Sequence, residues 1–149
     1  MFGKAKEGKS VQLRSTSADV AFMYLCLSAP GAHPLALRHL RHRERKWDIY
    51  HESAEATRIL RKHGHQYCGV LVDGLGTWLA NMLTLKVNVY NKIDGLCQSI
   101  RSLDVPVVVS NSPSADGRHL QIVKYANRQM ASQSRRIYSA EGGLIVRLK

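Results

Sequence analysis

Residues 68–83 read C-G-V-L-V-D-G-L-G-T-W-L-A-N-M-L, and they leave the chain little choice of architecture. Val70, Leu71 and Val72 form an unbroken apolar run that stops at Asp73 and Gly74. A strand without polar alternation is covered on both faces, the habit of parallel strands in α/β proteins. Directly after it, Leu75, Trp78, Leu79, Met82 and Leu83 recur at helical spacing. A buried strand that turns straight into a helix with one apolar face is the elementary unit of a parallel sheet.

The same alternation runs through the chain. Residues 20–28, V-A-F-M-Y-L-C-L-S, have strand length and are followed by the turn signal A-P-G-A-H-P. Residues 35–46 are intensely basic and suit a helix. Ser53 is predicted to cap a helix over A-E-A-T-R-I-L-R-K-H that Gly64 closes. Val89, Ile93, Leu96, Ile100 and Leu103 form a helical stripe, and residues 120–134 carry another helical pattern. Residues 105–111, V-P-V-V-V-S-N, form a second buried strand with Pro106 near its start. The ending predicts a hairpin around Glu141, Gly142 and Gly143. The expectation is an α/β fold of three layers: a mainly parallel sheet, helices on both faces and a C-terminal hairpin.

At 149 residues and 44% hydrophobic, one domain spanning 1–149 has enough apolar material for a core. No apolar run approaches the length of a membrane span, and the Lys-rich start lacks the hydrophobic region of a signal peptide. A cytoplasmic protein is expected. Cys26, Cys68 and Cys97 are odd in number and scattered among apolar neighbours, so buried thiols are expected rather than disulfides or a zinc site. Lys and Arg outnumber Asp and Glu by 22 to 11, a net charge of +11. Such a surface attracts polyanions: nucleotides, nucleic acid or anionic membrane.

Residues 3–10, G-K-A-K-E-G-K-S, satisfy the phosphate-loop pattern G-x-x-x-x-G-K-[ST]. Gly3 and Gly8 supply the bends that let backbone N–H groups converge on phosphate. Lys9 reaches the terminal phosphates, and Ser10 ligates Mg²⁺. Only Met1 and Phe2 precede the pattern, so the strand such a loop hangs from is missing. Unless a partner subunit closes the sheet, a gap is expected beside residues 70–73 and 105–111. Asp73, at the end of V-L-V-D, suits the carboxylate that holds Mg²⁺ or its water; a helix cap or turn is the alternative. In L-R-H-L-R-H-R-E-R-K-W, the arginines Arg38, Arg41, Arg43 and Arg45 suit bidentate phosphate contacts. A histidine among them, His39 or His42, would be kept neutral and nucleophilic by like charge. A solvated basic helix or a nucleic-acid patch is the alternative reading of that segment, and no nucleic-acid motif accompanies it.

Together these segments resemble the bifunctional adenosylcobinamide kinase / adenosylcobinamide-phosphate guanylyltransferase family of vitamin B12 biosynthesis. G-K-A-K-E-G-K-S resembles the family loop G-G-[AR]-x-S-G-K-S. F-M-Y-L-C-L-S-A-P-G-A-H-P-L-A-L-R-H-L-R-H-R is similar to its second strand and R-I-x-x-H-[RK] segment, which sets Arg38 and His42 in register. Trp47 and Glu52 fall near W-x-T-x-E, and V-L-V-D-G-L-G-T-W-L-A-N-M-L is close to V-L-[VL]-[DE]-C-L-T-x-W-[LV]-x-N-L-L. V-V-V-S-N, N-R-Q-M-A near Asn127 and G-L-I-V-R-L-K also have family counterparts in the right order.

The resemblance implies a P-loop NTPase-like fold, a homo-oligomer (a trimer in the family) and two activities. A nucleoside triphosphate, ATP or GTP, phosphorylates the aminopropanol hydroxyl of adenosylcobinamide. A histidine, His42 by register, then takes GMP from GTP and passes it to the cobinamide phosphate. It implies catalytic roles for His42 and Lys9. Nucleotide contacts fall to Gly3, Gly8, Lys9, Ser10, Arg38, Arg41 and Glu52, and Mg²⁺ to Ser10 and Asp73. The chain departs from the pattern in its missing first strand and in Ala32, His33 and Pro34, which replace an acidic pair. Ser112 replaces a Glu, Arg128 a Gln, and a glycine-rich substrate segment is cut to S-P-S-A-D-G. It reads as a divergent, shortened member. The alternative is a relative without catalysis that uses its basic surface to bind nucleic acid or a protein.

Overall fold

The structure is a computed structural model that describes residues 2–4, 22–27, 47–111 and 119–149. Its strands are β1 (Phe2–Lys4), β2 (Phe22–Cys26), β3 (Trp47–His51), β4 (Val70–Asp73), β5 (Val107–Ser110), β6 (Arg136–Glu141) and β7 (Leu144–Arg147). The α-helices are α1 (Ala56–His63), α2 (Leu75–Thr84), α3 (Val89–Ser102) and α4 (Leu120–Gln133). The sheet has the order β3-β2-β4-β5-β1-β6-β7. Its first four strands are parallel and flanked by helices, and β6 and β7 form the expected antiparallel hairpin. This is the α/β architecture that the strand–helix alternation predicts.

Register explains the core. Met23 pairs with Val70 and Val70 with Val107; Leu25 pairs with Val72 and Val72 with Val109. These six side chains therefore share one face. They are buried in a single cluster with Leu60, Trp78, Met82, Ile93, Leu96 and Met130 from the helices. Tyr24 and Cys26 point to the other face, yet they are buried too. β2 is thus covered on both sides, as an interior strand of a layered α/β fold must be.

Three expectations are corrected. First, no gap lies beside residues 70–73 and 105–111. β4 pairs directly with β2 and β5, and the far edge of β5 is taken by β1. The N-terminal strand exists, but it is three residues long and runs antiparallel to β5 and β6. Gly3 lies inside it, paired with Val108 and Arg136, rather than at a loop bend. Backbone pairing on both sides explains why this polar, Gly-containing segment is extended.

Second, Ser53 does not cap α1. The helix starts at Ala56, and the turn before it is held by Glu52, whose Oε1 accepts the N–H groups of Ala54 and Glu55, each at 2.9 Å. Third, Cys68 is exposed, while Cys26 and Cys97 are buried, and none of the three is disulfide-bonded. Beyond these corrections, W-D-I-Y-H, for which the sequence pattern predicts no element, is a strand.

Gly64 does close α1, but not by adopting a left-handed conformation. Its φ is −57° and ψ −31°. A Cβ there would lie 2.8 Å from Leu103 Cδ2, so a larger residue forces that side chain to shift. The hairpin turn is the opposite case: Gly142 and Gly143 have φ of 56° and 80°. Two consecutive positive values define the type I′ turn that matches strand twist. No described helix is long and apolar enough to cross a membrane.

Candidate functional site

Parallel strands end together, and here they end in a row. His51, Cys26, Asp73 and Ser110 are direct neighbours by register at the carboxyl ends of β3, β2, β4 and β5. That edge is where open α/β sheets bind ligands, because the helices that follow diverge and leave a crevice.

Asp73 is at the centre of the row. Gly74 follows with φ of 89°, a conformation glycine adopts without strain. This sharp turn lets α2 begin at once, with Trp78 N–H bonded to Gly74 C=O at 3.0 Å. The N-cap position belongs to Gly74, which has no side chain to cap the helix. The Asp73 carboxylate is used elsewhere. Tyr24 Oη donates to its Oδ2 at 2.6 Å, and Ser110 Oγ donates to its Oδ1. One hydroxyl comes from each neighbouring strand, so the carboxylate is aimed from both sides. Burial, and then the hydrogen bond to the Asp73 carboxylate and its charge, push the Tyr24 phenol well above its ordinary range. It therefore stays protonated and donating.

Immediately beyond Ser110, the Asn111 amide nitrogen donates to Asn127 Oδ1 of α4 at 2.7 Å. Asn111 Oδ1 is buried and, among the described residues, has no hydrogen-bond partner. Glu52 follows β3 on the same edge, its N–H bonded to Cys26 C=O at 3.0 Å. Its carboxylate holds the turn that leads into α1, a role the sequence does not announce.

The donor set suits Mg²⁺ of a particular kind. Asp73 offers a half-buried carboxylate beside a hydroxyl, both hard oxygen donors. Among the described residues, no three His, Cys, Asp or Glu side chains gather to form a closed cage. Magnesium held by one or two carboxylates, waters and substrate phosphates needs no such cage.

Of the predicted site residues, Asp73 and Glu52 lie on the carboxyl edge, two strands apart. Gly3 lies in β1. Gly8, Lys9, Ser10, Arg38, Arg41 and His42 lie outside the described residues. Tyr24, Ser110 and Asn111 stand at this edge and are not among the predicted site residues; Tyr24 is the least expected of them. Its one available signal was a hydroxyl set inside an otherwise apolar strand, F-M-Y-L-C.

A family model described as cobinamide kinase / cobinamide phosphate guanyltransferase matches residues 1–148, nearly the whole chain. No curated protein matches it.

Proposed function

The chain belongs to the cobinamide kinase / cobinamide phosphate guanyltransferase family, and from that premise we propose that it carries out both transfers on adenosylcobinamide. In the first, the aminopropanol hydroxyl oxygen attacks the γ-phosphorus of ATP or GTP. The bond to the β-phosphate oxygen breaks, the nucleoside diphosphate leaves and the hydroxyl proton is lost. In the second, a ring nitrogen of His42 attacks the α-phosphorus of GTP and pyrophosphate leaves. An oxygen of adenosylcobinamide phosphate then attacks the guanylyl-histidine phosphorus, breaking the P–N bond and restoring His42. Two displacements replace one difficult one.

Gly8, Lys9 and Ser10 hold the phosphates in this reading, with Arg38 and Arg41 offsetting their charge. Ser10 and Asp73 are the residues that would hold Mg²⁺, which supplies charge neutralisation on the transferring phosphate. The observation that supports the reading most is the setting of Asp73. A carboxylate fixed by Tyr24 and Ser110 stands at the carboxyl edge of a parallel sheet, where a phosphate-transfer site needs one.

The test is GTP labelled at the α-phosphate, incubated with Mg²⁺ and the protein and resolved on a denaturing gel. An acid-labile GMP adduct on the wild type, lost in His42→Ala and reduced in Lys9→Ala, is the expected result. Folded protein that forms no adduct overturns the guanylyl-histidine step. Retention on RNA or DNA that survives physiological salt would then favour a binding module built on the +11 charge.

A further inference from the structure

Asn111 Oδ1 is out of place in an ordinary protein interior. Buried carbonyl oxygens almost always have a donor, and this one has none among the described residues. Nor does it sit deep in the apolar core. Asn111 directly follows Ser110, whose hydroxyl holds Asp73, so the orphaned oxygen lies at the carboxyl edge of the sheet. The amide is not loose. Its nitrogen is tied to Asn127 Oδ1 at 2.7 Å, and that bond fixes which way the oxygen faces.

The chemistry of the atom narrows what it meets. An amide oxygen only accepts, so it repels phosphate oxygens and pairs with an O–H or N–H group. An aspartate at this position would accept as well, but would add a second negative charge close to Asp73 and to incoming phosphates. A neutral acceptor beside a charged one separates two tasks: one residue deals with the phosphate end of a substrate, the other with its uncharged, donor-bearing part. Sites that hydrogen-bond a substrate donor discriminate strongly, because an analogue without the donor leaves a buried acceptor unpaired.

We propose that Asn111, oriented by Asn127, is a specificity-determining residue whose Oδ1 accepts a hydrogen bond from a hydroxyl or N–H group of a bound substrate. The proposal rests on the functional reading above and extends it. Two substrates carry such a donor: the nucleoside part of GTP and the aminopropanol arm of adenosylcobinamide.

Equilibrium titrations with Mg²⁺–GTP and, separately, with adenosylcobinamide distinguish them. Wild type, Asn111→Ala and Asn127→Ala are compared, each with a thermal melt. Asn111→Ala is expected to weaken one of the two ligands about tenfold, the size of one lost hydrogen bond to a buried acceptor, and to leave the other unchanged. The ligand that weakens identifies the donor. The melting temperature should change little, because removing the unpaired oxygen is offset by the loss of the hydrogen bond to Asn127 Oδ1. Asn127→Ala should weaken the same ligand by less, and it carries the test if Asn111→Ala fails to fold. Unchanged affinity for both ligands overturns the proposal, as does an equal loss for both that tracks a lower melting temperature. A wild type that binds neither ligand overturns the functional reading and this inference with it; a wild type that binds both, with unaltered variants, overturns this inference alone.

Discussion

Asp73 shows how one carboxylate is prepared by its neighbours. Tyr24 is fully buried and reaches it from β2, and Ser110 reaches it from β5. Tyr24→Phe keeps the ring and its packing but takes away one of these donors. The variant should lose about 1–2 kcal/mol of stability, since Oδ2 then lacks its partner. In urea, the midpoint should fall with the slope unchanged. A midpoint equal to wild type would mean that the hydroxyl does not support the carboxylate. Cys97 allows a separate prediction at the same scale. It is 3% exposed, with its Sγ 3.7 Å from Met130 Sδ. Burial first, and the Asp94 carboxylate second, push its thiol from 9.0 up to about 11. Above pH 9 the unfolded chain loses this proton while the folded chain keeps it. Stability is therefore complete below pH 9 and falls as pH rises towards 11, by on the order of 2 kcal/mol. The buried tyrosines, whose ordinary value is 10.0, contribute only above that. Cys97→Ala should flatten the decline between pH 9 and 10 in denaturant melts, and an undiminished slope would assign it to another group.

At the scale of elements, Gly64 joins α1 to the core by what it lacks. Its backbone is helical, so alanine meets no conformational penalty there. The obstacle is Leu103, which is 1% exposed and cannot easily withdraw. Gly64→Ala should cost roughly 1–3 kcal/mol through overpacking. Leu103→Ala is destabilising alone, by about 2–5 kcal/mol, but the pair should cost less than the sum of the two. A strictly additive double-mutant cycle would show that the two sites do not press on each other. The same scale shows what the sequence makes legible. V-L-V-D maps onto β4 at its full length, and the helical spacing from Leu75 maps onto α2, because both patterns are local and strongly apolar. β3 escaped notice because Asp48 and His51 are exposed in it, as an edge strand permits. β1 escaped because its extended state comes from β5 and β6, more than a hundred residues away in the chain. The site divides along the same line. Asp73 is readable from its own surroundings. Tyr24 is not, since its partnership depends on the register between β2 and β4, which no local pattern encodes.

For the molecule as a whole, the exposed end of the sheet sets the behaviour in solution. β7 pairs with β6 on one side and ends the strand order on the other. Leu144, Ile145, Val146 and Leu148 are between 55% and 71% exposed. They follow one another along an edge strand, with apolar side chains on both faces. An edge of this kind is a template for another strand, and proteins usually blunt it with charge. Arg147 and Lys149 lie at the far end of the segment, and the central pair Ile145 and Val146 carries no charge. What opposes contact between copies is the net charge of +11, acting through solvent. That repulsion reaches about 8 Å at physiological ionic strength and about 3 Å at 1 M. Association through β7 should therefore rise as salt is added, the opposite of association driven by ion pairs. Ile145→Lys places a charge in the middle of the edge and should suppress the rise without changing the melting temperature, because the native side chain is 70% exposed. Light scattering across a salt series on both proteins decides it. Growth in size that is equal for wild type and Ile145→Lys would move the adhesive surface elsewhere. Scattering that falls with salt would make the contact electrostatic, leaving the exposed strand without a part in it.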